Sequence, residues 1–165
     1  MIWRPAYVAI GSNLNHPRER VFEAFDRMRE LSATLLLLRS RLYLTHPLGP
    51  QDQPHFVNAA AGLLTRLTAR DLLTGLLGIE RSMGRNRGER WGPRVIDLDL
   101  LWMLDSAVDE PGLMVPHPAV STRNFVLYPL ADIAPTINIP GMGNVLELKS
   151  AVGGAGISEL ESQGS

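Results

Sequence analysis

The chain has 165 residues, of which 45% are hydrophobic and 20% are charged, and these proportions are typical of a soluble globular protein with a substantial core. The formal net charge of −1 argues against a dedicated nucleic-acid-binding protein, and the lack of cysteine excludes disulfides, thiolate zinc sites and a thiol nucleophile. No apolar run reaches membrane-spanning length and the N-terminus lacks a signal-peptide pattern, so we expect a cytoplasmic protein without membrane partners.

The N-terminal part of the chain predicts a strand followed by a helix. Residues 6–10 predict a short buried strand that ends at the turn Gly11-Ser12-Asn13. Such a turn could bring backbone N–H groups to an anion, although a plain strand-to-helix connection is the favoured interpretation. Apolar residues between Val21 and Leu31 recur at helical spacing, and Pro17 suits the first turn of that helix.

Two extended apolar segments follow, at residues 34–44 and 56–67, on either side of a loop that contains three prolines and a glycine. A loop of this length in a small domain usually serves function. Next, Thr68 predicts the start of a helix, with Asp71 placed for capping, and Gly84 its end.

The last third of the chain predicts a strand at residues 95–103 and a helix at 125–134 that is capped by Asn124 and tolerates Pro129. After about Leu148 the sequence becomes rich in glycine and serine. We therefore expect a single domain over residues 1–148 and a flexible tail over residues 149–165.

The predicted order is strand, helix, strand, strand, helix, strand, which is the pattern of a ferredoxin-like α+β sandwich. Such a fold has a mainly antiparallel sheet with its helices on one face, and we expect the active site on the open face. In the strand at residues 95–103, alternation predicts that Ile96, Leu98 and Leu100 face the helices.

The same alternation places Asp97 and Asp99 together on the open face, ~6–7 Å apart along the strand. Two like charges disfavour each other's ionisation on an otherwise apolar strand, and a divalent cation would remove that cost. Five arginines lie close by in the sequence, at positions 81, 85, 87, 90 and 94. Alone, the acids are compatible with a half-exposed strand edge and the arginines with a solvated loop; together they predict phosphoryl transfer.

Four motifs stand in order along the chain. They are Ala9-Ile10-Gly11-Ser12-Asn13-Leu14; Pro47-Leu48-Gly49-Pro50-Gln51-Asp52-Gln53-Pro54; Glu89-Arg90-Trp91-Gly92-Pro93-Arg94 with Asp97-Leu98-Asp99; and Val115-Pro116-His117 with Arg123 and Phe125. In this combination the sequence resembles the 6-hydroxymethyl-7,8-dihydropterin pyrophosphokinase family over roughly residues 6–135. The resemblance implies transfer of diphosphate from ATP to the pterin alcohol in folate biosynthesis, which yields AMP and the pterin diphosphate.

The resemblance also implies roles for individual residues. Asp97 and Asp99 would bind two Mg²⁺ ions, and the catalytic groups would be these two aspartates with Arg85 and Arg94. The pterin would stack between two phenylalanines and meet polar groups at its edge, which implies the set Thr45, Leu48, Phe56, Asn58 and Phe125. The implied contacts with ATP are Glu80, Arg87, Arg90, Trp91, His117 and Arg123.

Several positions depart from the pattern of the family. His46 stands where relatives commonly have Pro, Phe56 where they have Tyr, and Gly88 near a position that is often Lys. Gly112 and Met114 replace polar residues, and the arginine loop is one residue shorter. These departures bear on substrate affinity rather than on the type of reaction.

Two other functions are compatible with parts of the sequence. One is a different two-metal phosphoryl or nucleotidyl transferase on the same fold; the other is an RNA-binding module that uses the arginines for phosphates. Carboxylates on the open face would repel a nucleic-acid backbone, which argues against the second. We therefore expect only small-molecule substrates as partners, no nucleic acid, and a monomer.

Overall fold

A computed structural model describes residues 2–46, 54–84 and 94–160 of the chain. The helices in that part are α1 (Pro17–Met28), α2 (Ala69–Ser82), α3 (Asn124–Ile133) and α4 (Val145–Val152), with a 3₁₀ turn at Val120–Thr122. The strands are β1 (Arg4–Ser12), β2 (Thr34–Arg39), β3 (Tyr43–Thr45), β4 (Phe56–Thr65), β5 (Asp97–Met103), β6 (Val108–Glu110), β7 (Leu113–Val115), β8 (Asn138–Ile139), β9 (Gly143–Asn144) and β10 (Ile157–Glu159). Within the described ranges, no helix is both long and apolar enough to cross a membrane.

The main sheet has the order β10-β3-β4-β1-β5, with β2 also paired to β4, and every pairing is antiparallel. Two interleaved β-α-β units produce this order, so the predicted ferredoxin-like α+β sandwich is confirmed. The predicted strand at residues 34–44 is interrupted at Ser40, whose hydroxyl accepts a hydrogen bond from the Ala60 N–H at 2.8 Å. A side chain thus takes the place of a regular strand contact, and β2 and β3 pair separately with β4.

The two long helices, α1 and α2, cover one face of the sheet as predicted. Leu98 and Leu100 of β5 are 2% and 3% exposed and belong to the same core cluster as Phe25 of α1 and Leu72 of α2. The start of α2 also follows the prediction, because the Thr68 hydroxyl accepts the Asp71 N–H at 3.1 Å. Apolar alternation in β5 and the amphipathic faces of the helices together build this core.

Part of the second face, which the prediction left open, is covered by α3 and α4. Leu127 and Leu130 of α3 form a second core cluster with Leu101 and Val145, and Tyr7 and Ala9 of β1 pack against that cluster. Helices therefore lie on both faces, and among the described residues the half-buried Asp97 and Asp99 at the start of β5, next to the end of β1, mark the area that the helices leave open.

The predicted cap of α3 is wrong in detail. Arg123 occupies the N-cap position, while the Asn124 amide donates to the carbonyl oxygens of Gly153 and Ala155. Pro129 lies inside the helix, as the sequence suggested.

Residues 149–160, predicted to belong to a flexible tail, form regular structure instead. Helix α4 continues to Val152, β10 pairs with β3, and the Leu160 N–H donates to the Leu42 carbonyl at 2.8 Å. Gly153 and Gly156 have φ values of 72° and 75°, so these glycines turn the chain back to the sheet. Residues 161–165 of that prediction lie outside the described residues.

Candidate active site

A row of residues crosses four neighbouring strands on the face of the sheet that lies opposite α1 and α2. Tyr43 of β3 lies opposite Asn58, Asn58 lies opposite Gly11, and Gly11 lies opposite Asp97. Directly opposite residues of antiparallel strands project to the same face. A Cβ atom at Gly11 would come within 3.0 Å of Asn58 Oδ1, so only glycine lets this amide approach the backbone of β1 so closely.

The two aspartates of β5 occupy this face together. Asp97 lies opposite Gly11 and Asp99 opposite Ala9, and both are half-buried, whereas Leu98 between them is buried on the helix side. The structure therefore has the alternation that the sequence predicted, with two carboxylates at one edge of the open area.

These carboxylates suit Mg²⁺ better than a metal that needs a complete protein cage. Among the described residues, no group of three or more His, Cys, Asp or Glu side chains is placed to hold a metal ion. Mg²⁺ usually binds through one or two carboxylates and takes its other ligands from substrate phosphates and water. A pair of aspartates supplies the two carboxylates of such a site.

The polar residues predicted to contact a pterin lie on β3 and β4. The Asn58 Nδ2 donates to the Thr45 hydroxyl at 2.6 Å, and both side chains are buried. Phe56 lies opposite Thr45 and is half-buried. Thr45, Phe56 and Asn58 therefore form one continuous surface beside Gly11.

A second group of predicted residues surrounds the start of α3, across the open area. The Arg123 guanidinium lies 5.7 Å from the centre of the Phe125 ring, at a distance typical of a cation–π contact. Phe125 also packs against the second core cluster, which fixes the ring at the first turn of α3.

His117 joins this group through its backbone and its electrostatics. Its N–H donates to the Leu101 carbonyl at 2.8 Å, and its Nδ1 accepts the Ala119 N–H at 3.1 Å. Burial lowers the pKa of His117, the charge of Arg123 lowers it further, and the charge of Asp97 acts in the opposite direction. His117 is thus a neutral imidazole whose Nε2–H is the group left to donate.

Glu80, predicted to contact ATP, has a different contact in the structure. It is 2% exposed, and its Oε2 accepts the backbone N–H of Leu98 at 2.7 Å. Position 80 lies on the buried side of α2, and β5 is the edge strand, so the carboxylate binds a backbone group at the sheet edge. The described contact of Glu80 is therefore with the strand that carries Asp97 and Asp99.

The sequence did not single out Ser12 and Asn13 as functional residues, although they end the strand that carries Gly11. Both are almost completely buried, and both bind backbone groups next to Arg94. The Ser12 hydroxyl donates to the Val95 carbonyl, and Asn13 Oδ1 accepts the Arg94 N–H at 2.7 Å. The sequence offered little signal, because Gly, Ser and Asn after a strand are the usual residues of a turn, and the burial of Ser12 and Asn13 is visible only in the structure.

Five predicted site residues lie outside the described residues: Leu48, Arg85, Arg87, Arg90 and Trp91. Arg94, a predicted catalytic residue that is described, lies directly before Val95 and Ile96. Its backbone N–H donates to Asn13 Oδ1.

Four of the departures from the family pattern, at positions 46, 56, 112 and 114, lie within the described residues, whereas Gly88 lies outside them. Gly112 has a φ of 77° in the turn between β6 and β7, a conformation that glycine adopts without strain. Met114 in β7 is 45% exposed, and the His46 ring packs edge-on against His55 at a centroid distance of 4.5 Å.

Comparison with known proteins gives a consistent result. The family of 7,8-dihydro-6-hydroxymethylpterin-pyrophosphokinases matches residues 7–135. A 2-amino-4-hydroxy-6-hydroxymethyldihydropteridine pyrophosphokinase of Pseudomonas aeruginosa is 48% identical over 154 residues, which cover 93% of this chain and 95% of that protein. A protein of the same name from Haemophilus influenzae is 42% identical over 143 residues, covering 87% of this chain and 89% of that protein.

Among solved structures, the wild-type Plasmodium falciparum HPPK-DHPS with pteroate superimposes with a TM-score of 0.70 over 90% of this chain. The identity is 13%, so this likeness concerns the fold alone, and the chain spans 42% of that longer protein.

Proposed function

The chain belongs to the 7,8-dihydro-6-hydroxymethylpterin-pyrophosphokinase family, and we infer that it transfers a diphosphate group from ATP to 6-hydroxymethyl-7,8-dihydropterin in folate biosynthesis. In this reaction the pterin hydroxyl oxygen bonds to the β-phosphorus of ATP, the bond to the α-phosphate breaks, and AMP leaves. The observation that carries this function is the family match over residues 7–135, which includes the strands that form the candidate site.

We propose that the reaction takes place on the open face described above, between β4 and the start of α3. Support comes from the row that joins Asn58, Gly11 and Asp97 across three strands. The row puts a polar amide at one side and a carboxylate at the other, with a glycine, which has no side chain, between them. A flat heterocycle and a phosphate chain require those two kinds of surface side by side.

Asp97 and Asp99 are the proposed metal ligands. Two bound Mg²⁺ ions would supply charge compensation for the triphosphate, which is the main requirement of phosphoryl transfer. Around them, the neutral His117 offers a hydrogen bond from Nε2–H, and Arg123 adds a permanent positive charge. Asn13 holds the backbone of Arg94 in place. We propose that the Arg94 side chain contacts the transferred diphosphate together with Arg85.

The pterin is proposed to lie between Phe56 and Phe125. The two rings make no contact with each other in the described structure, although both border the open area. Stacking against aromatic faces would orient the ring, and Thr45 and Asn58, already hydrogen-bonded to each other, would set its polar edge. Leu48 is proposed as a further pterin contact, and Arg87, Arg90 and Trp91 as further ATP contacts.

We further propose that the chain acts in the cytoplasm as a monomer and as one domain, which includes residues 149–160. The single domain is supported by β10, which completes the same sheet that carries the site. Sedimentation equilibrium tests the monomer, with 18.2 kDa as the expected mass.

Phosphorus NMR of the reaction mixture tests the function. AMP and a new diphosphate ester should form from ATP only when both the hydroxymethyl pterin and Mg²⁺ are present. A 6-methyl pterin is the matched control, because it fills the ring site but has no acceptor hydroxyl. Formation of ADP, or RNA binding in the absence of metal, would contradict the proposal, and AMP formation with another alcohol alone would favour a different transferase.

A further inference from the structure

The side chain of Asn13 joins two segments that are far apart in the sequence. Its Oδ1 accepts the Arg94 N–H at 2.7 Å, and its Nδ2 donates to the Pro54 carbonyl at 2.9 Å. The residue is 1% exposed, and its own backbone N–H donates to the Arg94 carbonyl at 3.0 Å. Asn13 therefore binds Arg94 in both directions, as one strand binds another, and holds Pro54 with the rest of its amide.

The two segments lead into opposite sides of the proposed active site. Pro54 precedes Phe56 by two residues, at the start of the strand that carries the proposed pterin contacts. Arg94 precedes Asp97 by three residues, at the start of the strand that carries the proposed metal ligands. Ser12 adds a hydroxyl bond to the Val95 carbonyl. One buried amide thus sets the separation between the entry to β4 and the entry to β5.

We propose that Asn13 is a positioning residue, which aligns the pterin side of the site with the diphosphate side without contacting the reacting atoms. This inference rests on the proposed function. The pterin oxygen must meet the β-phosphorus in line, and a misplacement of 1 Å can lower a rate by about 100-fold. Each side keeps its own contacts when the amide is changed, so binding of each substrate alone is preserved while their mutual alignment is lost.

The expected result is a split between turnover and binding. Asn13→Asp keeps an oxygen for the Arg94 N–H but replaces the donor to Pro54 with a second oxygen, so we expect kcat to fall by about 10- to 100-fold. The dissociation constants of the pterin and of a nonhydrolysable ATP analogue with Mg²⁺, each measured alone by calorimetry, should change by less than about threefold, which is under 1 kcal/mol. Asn13→Ala removes the side-chain bonds to Arg94 and Pro54 without adding a buried charge and carries the same expectation if Asn13→Asp does not fold.

Thr65→Val is the matched control for lost stability. It removes a buried hydroxyl that lies 2.8 Å from the Thr34 hydroxyl, at the far end of β4 from Pro54. This variant should lose melting temperature but keep the kcat of the wild type. Wild-type kcat in both Asn13 variants would overturn the inference, as would a loss of kcat in Thr65→Val as large as theirs. A wild-type protein that forms no AMP would instead contradict the proposed function itself.

Discussion

Single residues in the row across the sheet explain how a small site can hold two different kinds of substrate. Gly11 allows the Asn58 amide to lie close to the backbone of β1, because any Cβ there would meet Asn58 Oδ1 at 3.0 Å. Asn58 is fixed from the other side by its hydrogen bond to Thr45. The glycine at position 11 and the orientation of the Asn58 amide on the neighbouring strand therefore depend on each other.

Phe125 provides the first prediction at this scale. Phe125→Ala should weaken pterin binding by more than tenfold while ATP-analogue binding changes little, since an aromatic stack contributes ~0.5–1.5 kcal/mol beyond the area that it buries. Calorimetric titration with each ligand separately measures the two affinities. Phe22→Ala is the matched control, because Phe22 of α1 lies under Arg18 at 5.3 Å much as Phe125 lies under Arg123. Equal loss of both affinities in Phe125→Ala would mark that ring as part of the core only.

His117 gives a prediction for the pH dependence of stability. Its pKa is lowered in the folded state, so the unfolded chain binds more protons once the pH falls to about 6.5, and the wild type should lose stability there. His117→Asn keeps an acceptor for the Ala119 N–H but does not titrate. The free energy of unfolding of the wild type should fall relative to this variant, by at most about 1.4 kcal/mol per pH unit, as the pH is lowered from 7.5 to 5.

Chemical denaturation at several pH values measures this difference, and the other three histidines are present in both proteins. A difference that does not change between pH 7.5 and pH 5 would show that His117 is protonated equally in the folded and unfolded states.

At the scale of elements, β5 carries the proposed metal ligands and is also an edge strand, since it is the last strand of the sheet on its side. Helix α2 stabilises this edge through Glu80, which binds the N–H of Leu98 between the two aspartates. Edge strands have unpaired backbone groups, and a buried carboxylate satisfies one of them here.

Two substitutions at Glu80 separate support of the strand from contact with ATP. Glu80→Leu leaves a buried N–H without its acceptor and should cost about 1–3 kcal/mol of stability, whereas Glu80→Gln retains an oxygen and should cost less. Thermal melts measure both. Because the bond reaches the backbone of β5, Glu80→Gln should also keep its affinity for an ATP analogue within about threefold, or 0.7 kcal/mol. A tenfold loss of that affinity at unchanged stability would show that Glu80 meets the nucleotide directly.

Local patterns in the sequence predicted most elements because burial is recorded in their periodicity. Leu98 and Leu100 alternate with the aspartates of β5, and Thr68 marks the start of α2. Contacts between distant residues leave no such pattern. Ser40 interrupts the second predicted strand by binding Ala60, and the partners of Asn13 lie 41 and 81 positions away.

Composition misled the prediction at the C-terminus for a related reason. Glycine after Leu148 suggested disorder, but Gly153 and Gly156 use positive φ values to return the chain to β3. The types and order of the site residues were available from the motifs, whereas the orientation of His117 and the burial of Glu80 depend on packing.

At the scale of the whole molecule, one ionic network fastens the C-terminal strand and α3 to the sheet. Both carboxylate oxygens of Asp132 in α3 accept hydrogen bonds from the Arg41 guanidinium, at 2.7 and 3.1 Å. Asp132 also accepts a hydrogen bond from the Tyr43 hydroxyl at 2.9 Å. Arg41 also binds Glu159 of β10 at 2.9 Å. Burial first, and the hydrogen bond to Asp132 second, raise the pKa of Tyr43, so its contribution to stability is present below about pH 10 and is lost as the pH rises further.

The two acids of this network should differ in importance. Asp132 is 10% exposed, so Asp132→Asn should cost about 1.5–3 kcal/mol by weakening hydrogen bonds to a charged acceptor. Glu159 is 49% exposed, and Glu159→Gln should cost less than about 1 kcal/mol because water screens the pair. Urea denaturation compares the two variants. Equal costs would contradict the expectation that the buried contact of Arg41 with α3 contributes more to stability than its exposed contact with β10.

The acidic pair on β5 carries the central claim, namely that Asp97 and Asp99 form the metal site at which the diphosphate moves. The most direct measurement is the rate of AMP formation by Asp97→Asn and by Asp99→Asn, with melting temperatures recorded for the unliganded proteins and with Mg²⁺ and an ATP analogue. We predict a fall in rate by orders of magnitude, an unliganded melting temperature that is unchanged or slightly raised because like-charge repulsion is relieved, and loss of the stabilisation by Mg²⁺ and the analogue. A large drop in the unliganded melting temperature with substantial activity retained would contradict the metal site and most of the proposed mechanism.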